Sequence, residues 1–119
     1  MYSKDFGKKG EQLAKEDLIR KGLKFIASNF TFKKLEIDLV FEDKTTKEII
    51  FVEVKSRTST DYGQPEEAID VKKQINIRTA ASVFIKLNSE FKNHKIRFDI
   101  YTVLKSGEEY IYKHTINGF

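Results

Sequence analysis

Two strand-like runs, each interrupted by charge, constrain this chain more than anything else in it. Ile49-Ile50-Phe51-Val52-Glu53-Val54-Lys55 is β-branched and apolar except at Glu53 and Lys55. Leu35-Glu36-Ile37-Asp38-Leu39-Val40-Phe41 alternates, which predicts Glu36, Asp38 and Val40 on one face and Ile37, Leu39 and Phe41 on the other. The polar segment 42–48 between them is short enough to close a hairpin. Side-chain direction repeats every two residues, so Glu53 and Lys55 share a face while Val52 and Val54 take the other. If that face is also the face of Asp38, two carboxylates and an amine converge.

Burying an unpaired charge costs several kcal/mol, so charged residues in such a strand need a reason. One reason is bland: an edge strand whose polar face meets water, or a cross-strand network of Asp38, Glu53 and Lys55. The other is chemical, since two carboxylates and an amine can hold a divalent metal and activate a water. The strands alone leave both open.

The rest of the chain reads as helix, strand, hairpin, helix and two strands. A first helix is expected from about Lys8 to Lys21, stopped by Gly22, with the basic cluster Lys4, Lys8 and Lys9 before it. Glu11, Ala14 and Leu18 share one of its faces, so Glu11 points inward. A first strand falls within 23–32. Residues 57–65 read as an exposed loop, and Pro65 suits the first position of a second helix, with Glu66 and Glu67 in its first turn. That helix continues to about Leu87 on a stripe of Ile69, Ile77, Ala80, Ala81 and Phe84; Lys73 and Gln74 lie off the stripe, as on a solvated face. Final strands span 96–104 and 109–116 around Ser106-Gly107. Arg97 and Asp99 share a face and are expected to pair with each other. His94 and His114 lack partners at ligand spacing and read as surface or strand-end residues.

Asp38, a hairpin and then Glu53-Val54-Lys55 resembles the PD-(D/E)XK nuclease superfamily. The flanking text is more specific. Gly7-Lys8-Lys9-Gly10-Glu11-Gln12-Leu13-Ala14, Asn29, Glu36-Ile37-Asp38-Leu39-Val40, Phe51-Val52-Glu53-Val54-Lys55-Ser56-Arg57, Lys73-Gln74, Arg97-Phe98-Asp99-Ile100 and Ile116-Asn117-Gly118-Phe119 together resemble the YraN family of small bacterial proteins, which are similar to archaeal Holliday-junction resolvases. The resemblance runs from about Gly7 to Phe119 and departs at Leu35, where the family usually has glycine. It implies a restriction-endonuclease-like α/β fold, a mixed β-sheet flanked by helices in the order α-β-β-β-α-β-β. It also implies Mg²⁺ (or Mn²⁺) held by Asp38, Glu53 and the main-chain carbonyl of Val54, with Lys55 beside the attacking water. Glu11 becomes an accessory acid and Gln74 and Lys73 neighbours of the site. A homodimer is implied as well, because a four-way junction needs two coordinated cuts.

Composition is compatible with this reading. At 119 residues the chain suits one domain, 1–119, with a single core. It has no cysteine and two isolated histidines, which excludes disulfides and a structural zinc site. No apolar run follows Met1-Tyr2-Ser3-Lys4-Asp5, so neither a signal peptide nor a membrane span is expected, and a cytoplasmic location is the default. The net charge of +4 is modest. Its excess, however, borders the acids, with Lys33 and Lys34 before the first acidic strand, Arg57 after the second, and Lys72, Lys73 and Arg78 in the second helix. That arrangement suits a polyanion such as DNA held around a metal. The expected activity is metal-dependent hydrolysis of DNA; the rival is a nucleic-acid-binding module of the same fold with little turnover. The hydroxyls just after Lys55 have no histidine near in sequence, so nucleophilic catalysis is the weaker reading.

Overall fold

The computed structural model describes residues 4–58 and 69–119. Two helices flank one five-stranded mixed sheet: α1 (Lys4–Arg20), β1 (Lys24–Phe32), β2 (Leu35–Asp43), β3 (Glu48–Thr58), α2 (Val71–Leu87), a short 3₁₀ turn (Ser89–Phe91), β4 (Lys95–Ser106) and β5 (Glu109–Thr115). The strands lie in chain order, β1-β2-β3-β4-β5. Hairpins join β1 to β2, β2 to β3 and β4 to β5 antiparallel, whereas β3 and β4 are parallel from Glu48 opposite Lys95 to Thr58 opposite Lys105. A parallel pair needs a crossover, and α2 lies within it.

The α-β-β-β-α-β-β order is the one expected, with shifts at the boundaries. α1 begins at Lys4, so Lys4, Lys8 and Lys9 lie inside the helix rather than before it. It ends as expected: Gly22 takes φ 98, the Leu23 N–H bonds the Leu18 carbonyl at 3.1 Å and the Gly22 N–H that of Ile19 at 3.0 Å. Only glycine adopts this left-handed turn without strain. Pro65, Glu66 and Glu67 lie outside the described residues. Asp70 caps α2, its carboxylate accepting from the Lys73 N–H at 2.8 Å. Ile69, expected on the helix's packing stripe, is buried but precedes that cap.

Alternation along the central strands divides the core in two. Ile49 and Phe51 join Ile77, Ala80, Ala81 and Phe84 beneath α2, whereas Ile50 and Val52 join Ala14 and Leu18 beneath α1, so the helices cover opposite faces. α1 lies very close at Gly10, where an added Cβ would stand 2.0 Å from Ser56 Oγ. Among the described residues no helix is long and apolar enough to cross a membrane.

Both histidines have partners that local spacing did not reveal. His94 Nε2 lies 2.8 Å from Glu42 Oε2, and His114 Nε2 lies 2.7 Å from Asp99 Oδ2. Arg97 pairs with Asp99 as expected, through Nε at 3.0 Å and Nη2 at 2.9 Å, and also donates from Nη1 to Glu48 at 3.0 Å. Among the described residues no buried side-chain nitrogen or oxygen lacks a hydrogen-bond partner.

Candidate functional site

The site begins as a break in the regular alternation of β2. Ile37 packs beneath α2 while Leu39 and Phe41 pack beneath α1, although strict period two puts all three on one face. The cause lies next door. Asn29 in β1 takes φ 52, and the register steps from Ser28 opposite Leu39 to Phe30 opposite Ile37, passing over Asn29 and Asp38. A left-handed residue inside a strand shifts the phase of the side chains beside it.

On its other side, β2 is laddered to β3 only as far as Leu39 opposite Val52, while β3 continues along β4 to Thr58. The two strands therefore fork at Asp38. Its carboxylate occupies the fork, with Oδ2 accepting the Val54 main-chain N–H at 2.8 Å, where a strand carbonyl would otherwise serve. Glu53 stands on the opposite prong within hydrogen-bonding range of Asp38. Burial, then the Glu53 charge, push the Asp38 carboxyl up to about 7 against the opposing Val54 N–H, and Glu36 adds a smaller push.

Two further groups arrive from the helices. Glu11, next to the close contact at Gly10, is half-buried and accepts from Asn29 Nδ2 at 3.1 Å. Burial raises its pKa; the Asn29 bond opposes this, and the charges of Asp38 and Glu36 add to it. A cleft of about 220 Å³ opens beside it, lined by Lys8, Gln12, Lys15 and Asn29 among others. From the α2 side, the exposed Lys73 reaches Glu53, with Nζ 3.5 Å from Oε2.

The other expected residues fall into two groups. Lys55 is half-buried, two residues beyond Glu53 on β3 and so on the same side of the strand. Gln74 is half-buried with Nε2 bonded to the Ile69 carbonyl at 2.7 Å, a bond that secures the lead-in to α2. Lys33 and Lys34 are exposed in the β1–β2 turn, and Arg57 is half-buried near the end of β3 with Nη1 bonded to the Ser56 carbonyl at 2.9 Å. By strand rise these three stand roughly 13–17 Å along the sheet from the acids, at the same end but outside the fork. Glu36 and Asn29 are additions to the expected site. Glu36 could be found from its alternation with Asp38; the left-handed turn at Asn29 has no periodic signal.

Chemically the cluster is a set of oxygens. Among the described residues no group of three or more His, Cys, Asp or Glu side chains stands ready to hold a metal. Mg²⁺ commonly takes only one or two carboxylates and fills its remaining positions with water and phosphate oxygens, so Asp38 and Glu53 fit that ion. Their mutual repulsion, expressed in the raised Asp38 pKa, is what a cation between them would relieve.

A family model described as uncharacterised protein family UPF0102 matches residues 10–103, which takes in Glu11, Asn29, the whole fork, Lys73 and Gln74. The chain belongs to this family. Similar UPF0102 proteins include one from Caldanaerobacter subterraneus, 41% identical over 98% of this chain and 95% of its own length. Another, from Natranaerobius thermophilus, is 39% identical over 91% and 90% respectively. A third, from Caldicellulosiruptor bescii, is 37% identical over 95% and 93%. UPF0102 is also the family to which the YraN-like motifs point.

Proposed function

We propose that this UPF0102 chain is a metal-dependent nuclease of the PD-(D/E)XK type that hydrolyses phosphodiester bonds in DNA, with branched or otherwise structured DNA as its substrate. The observation that carries the reading is the convergence of Asp38 and Glu53 at a fork in the sheet, with the Asp38 carboxyl pushed up to about 7 by burial and then by the Glu53 charge. A purely structural acid pair has no reason to endure that repulsion.

In this reading Asp38, Glu53 and the Val54 carbonyl hold Mg²⁺ or Mn²⁺. When bound, the ion polarises the scissile phosphate and lowers the pKa of water. Lys55, on the Glu53 side of β3, orients the attacking water and balances charge as the phosphorus becomes five-coordinate. Glu11 restrains the approach from α1 through its bond to Asn29. Lys73, Lys33, Lys34 and Arg57 hold neighbouring phosphates, sequence-independent contacts that make affinity fall with salt. In-line attack that leaves a 5′-phosphate follows from the superfamily resemblance.

The test is cleavage of linear, flapped and four-way DNA with Mg²⁺ or Mn²⁺. Asp38→Ala and Glu53→Ala should abolish cutting while DNA affinity without metal holds or rises, because negative charge facing phosphate has gone. Lys55→Ala should lose cutting yet still bind metal. A parent that binds DNA and cuts none of these substrates, with variants indistinguishable from it, makes the chain a binding module with an inherited ion network.

A further inference from the structure

β5 is the last strand on its side of the sheet, and among the described residues no further strand covers its outer edge. An uncovered edge presents main-chain N–H and C=O groups to any strand that can lie along it. β1, at the opposite edge, is poorly suited to such pairing because its register shifts between Phe25 and Ala27 and Asn29 is left-handed. β5 is regular throughout, in unbroken register with β4 from Ser106 opposite Glu109 to Ile100 opposite Thr115. Its exposed side chains are mixed, Ile111 (53%) and Tyr112 (45%) lying between the exposed charges of Glu109 and Lys113.

Its sequence reads symmetrically about Ile111. In Glu109-Tyr110-Ile111-Tyr112-Lys113, an antiparallel second copy centred on the same residue sets Ile111 against Ile111, Tyr110 against Tyr112 and Glu109 against Lys113, twice over. Glu109, Ile111 and Lys113 lie on one face of the strand and the two tyrosines on the other. Opposite charges directly across such a pair stabilise it, and like charges oppose it. A parallel pair in register would set Glu109 against Glu109 and Lys113 against Lys113, so the charges select one direction.

We propose that the chain forms a two-fold homodimer by antiparallel pairing of β5 edges about Ile111, joining the two sheets into one. The inference stands on the edge and its charges and does not depend on the phosphodiester reading. The two-fold axis stands perpendicular to the sheet, keeping both α2 helices on one face and turning the forks toward opposite ends. Seven strand spacings then separate the two β2 strands, roughly 34 Å across the joined sheet.

Sedimentation velocity of the full chain is the test. The parent should be a dimer. Glu109→Lys and Lys113→Glu each turn two attractive pairs into repulsive ones, so each alone should weaken dimerisation roughly tenfold. An equimolar mixture of these two variants restores opposite charges and should associate as tightly as the parent. Ile111→Lys should be monomeric. All three positions are exposed, and circular dichroism should show native folding in every variant. A monomeric parent, a dimer indifferent to all three substitutions, or a mixture no tighter than its components overturns the proposal.

Discussion

Asp38 and Asp99 both sit in the interior of strands of this sheet, and their surroundings are opposite. Asp99 in β4 is fully buried and surrounded by donors: Arg97 twice, His114 at 2.7 Å and the Asn117 N–H at 3.1 Å. Burial alone would raise its pKa, but those bonds outweigh burial and hold the carboxyl below the ordinary range. Asp38 in β2 receives one N–H, from Val54, and the carboxylates of Glu53, Glu36 and Glu11 stand near it. Burial therefore prevails and the carboxyl rises to about 7. A charge in an apolar strand thus says little by itself. Its partners decide whether it fastens the fold or waits for something else.

Exchanging the two acids for neutral residues should separate these roles. Asp38→Asn should reduce metal-dependent cleavage by orders of magnitude while thermal stability holds or rises, because its amide oxygen keeps the Val54 N–H bond and the repelled charge has gone. Asp99→Ala should do the reverse at equilibrium. It leaves Arg97 and His114 without their shared acid, and urea unfolding should show a loss of about 3 kcal/mol. Equal destabilisation by both changes would dissolve the contrast.

A smaller effect separates them by pH. Asp38 binds its proton more tightly folded than unfolded, so in metal-free protein stability should fall as pH rises from about 4 through 7. Asp99 has the opposite sign. Its contribution is present above the ordinary carboxylate range and is lost as pH falls through the lowered value. The Asp38 slope should vanish in Asp38→Asn or on adding Mg²⁺. NMR titration reads both acids directly, and an Asp38 that ionises near 4 would count against a shared site. The smallest effect belongs to the rim. Lys73→Ala should alter cleavage only a few-fold and flatten the salt dependence of DNA binding slightly, because its contact with Glu53 is half-exposed.

Period-two alternation and the Gly22 stop were enough to order the elements and to bring Glu53 and Lys55 to one side of β3. The shift at Asp38 was not readable, because its cause is a backbone conformation in the neighbouring strand and an N–H from a third. His114 looked isolated for a related reason: its partner Asp99 lies across the β4–β5 hairpin, where local spacing says nothing. The start of α2 depends on the Asp70 cap, which competed in sequence with a plausible proline five residues earlier. Periodicity thus reads each strand separately, whereas the site is made where strands stop agreeing with one another.

The close approach at Gly10 makes that site sensitive to a residue with no functional group. Ser56 is buried in β3, so the 2.0 Å left for a Cβ at position 10 cannot be found by swinging its hydroxyl into solvent. A single added carbon would press α1 and Ser56 apart. Glu11 is the next residue, and its carboxylate would withdraw from Asn29 and the fork by the same displacement. The hydrogen atom at Gly10 therefore acts as a spacer gauge, setting how closely one acid approaches the other two.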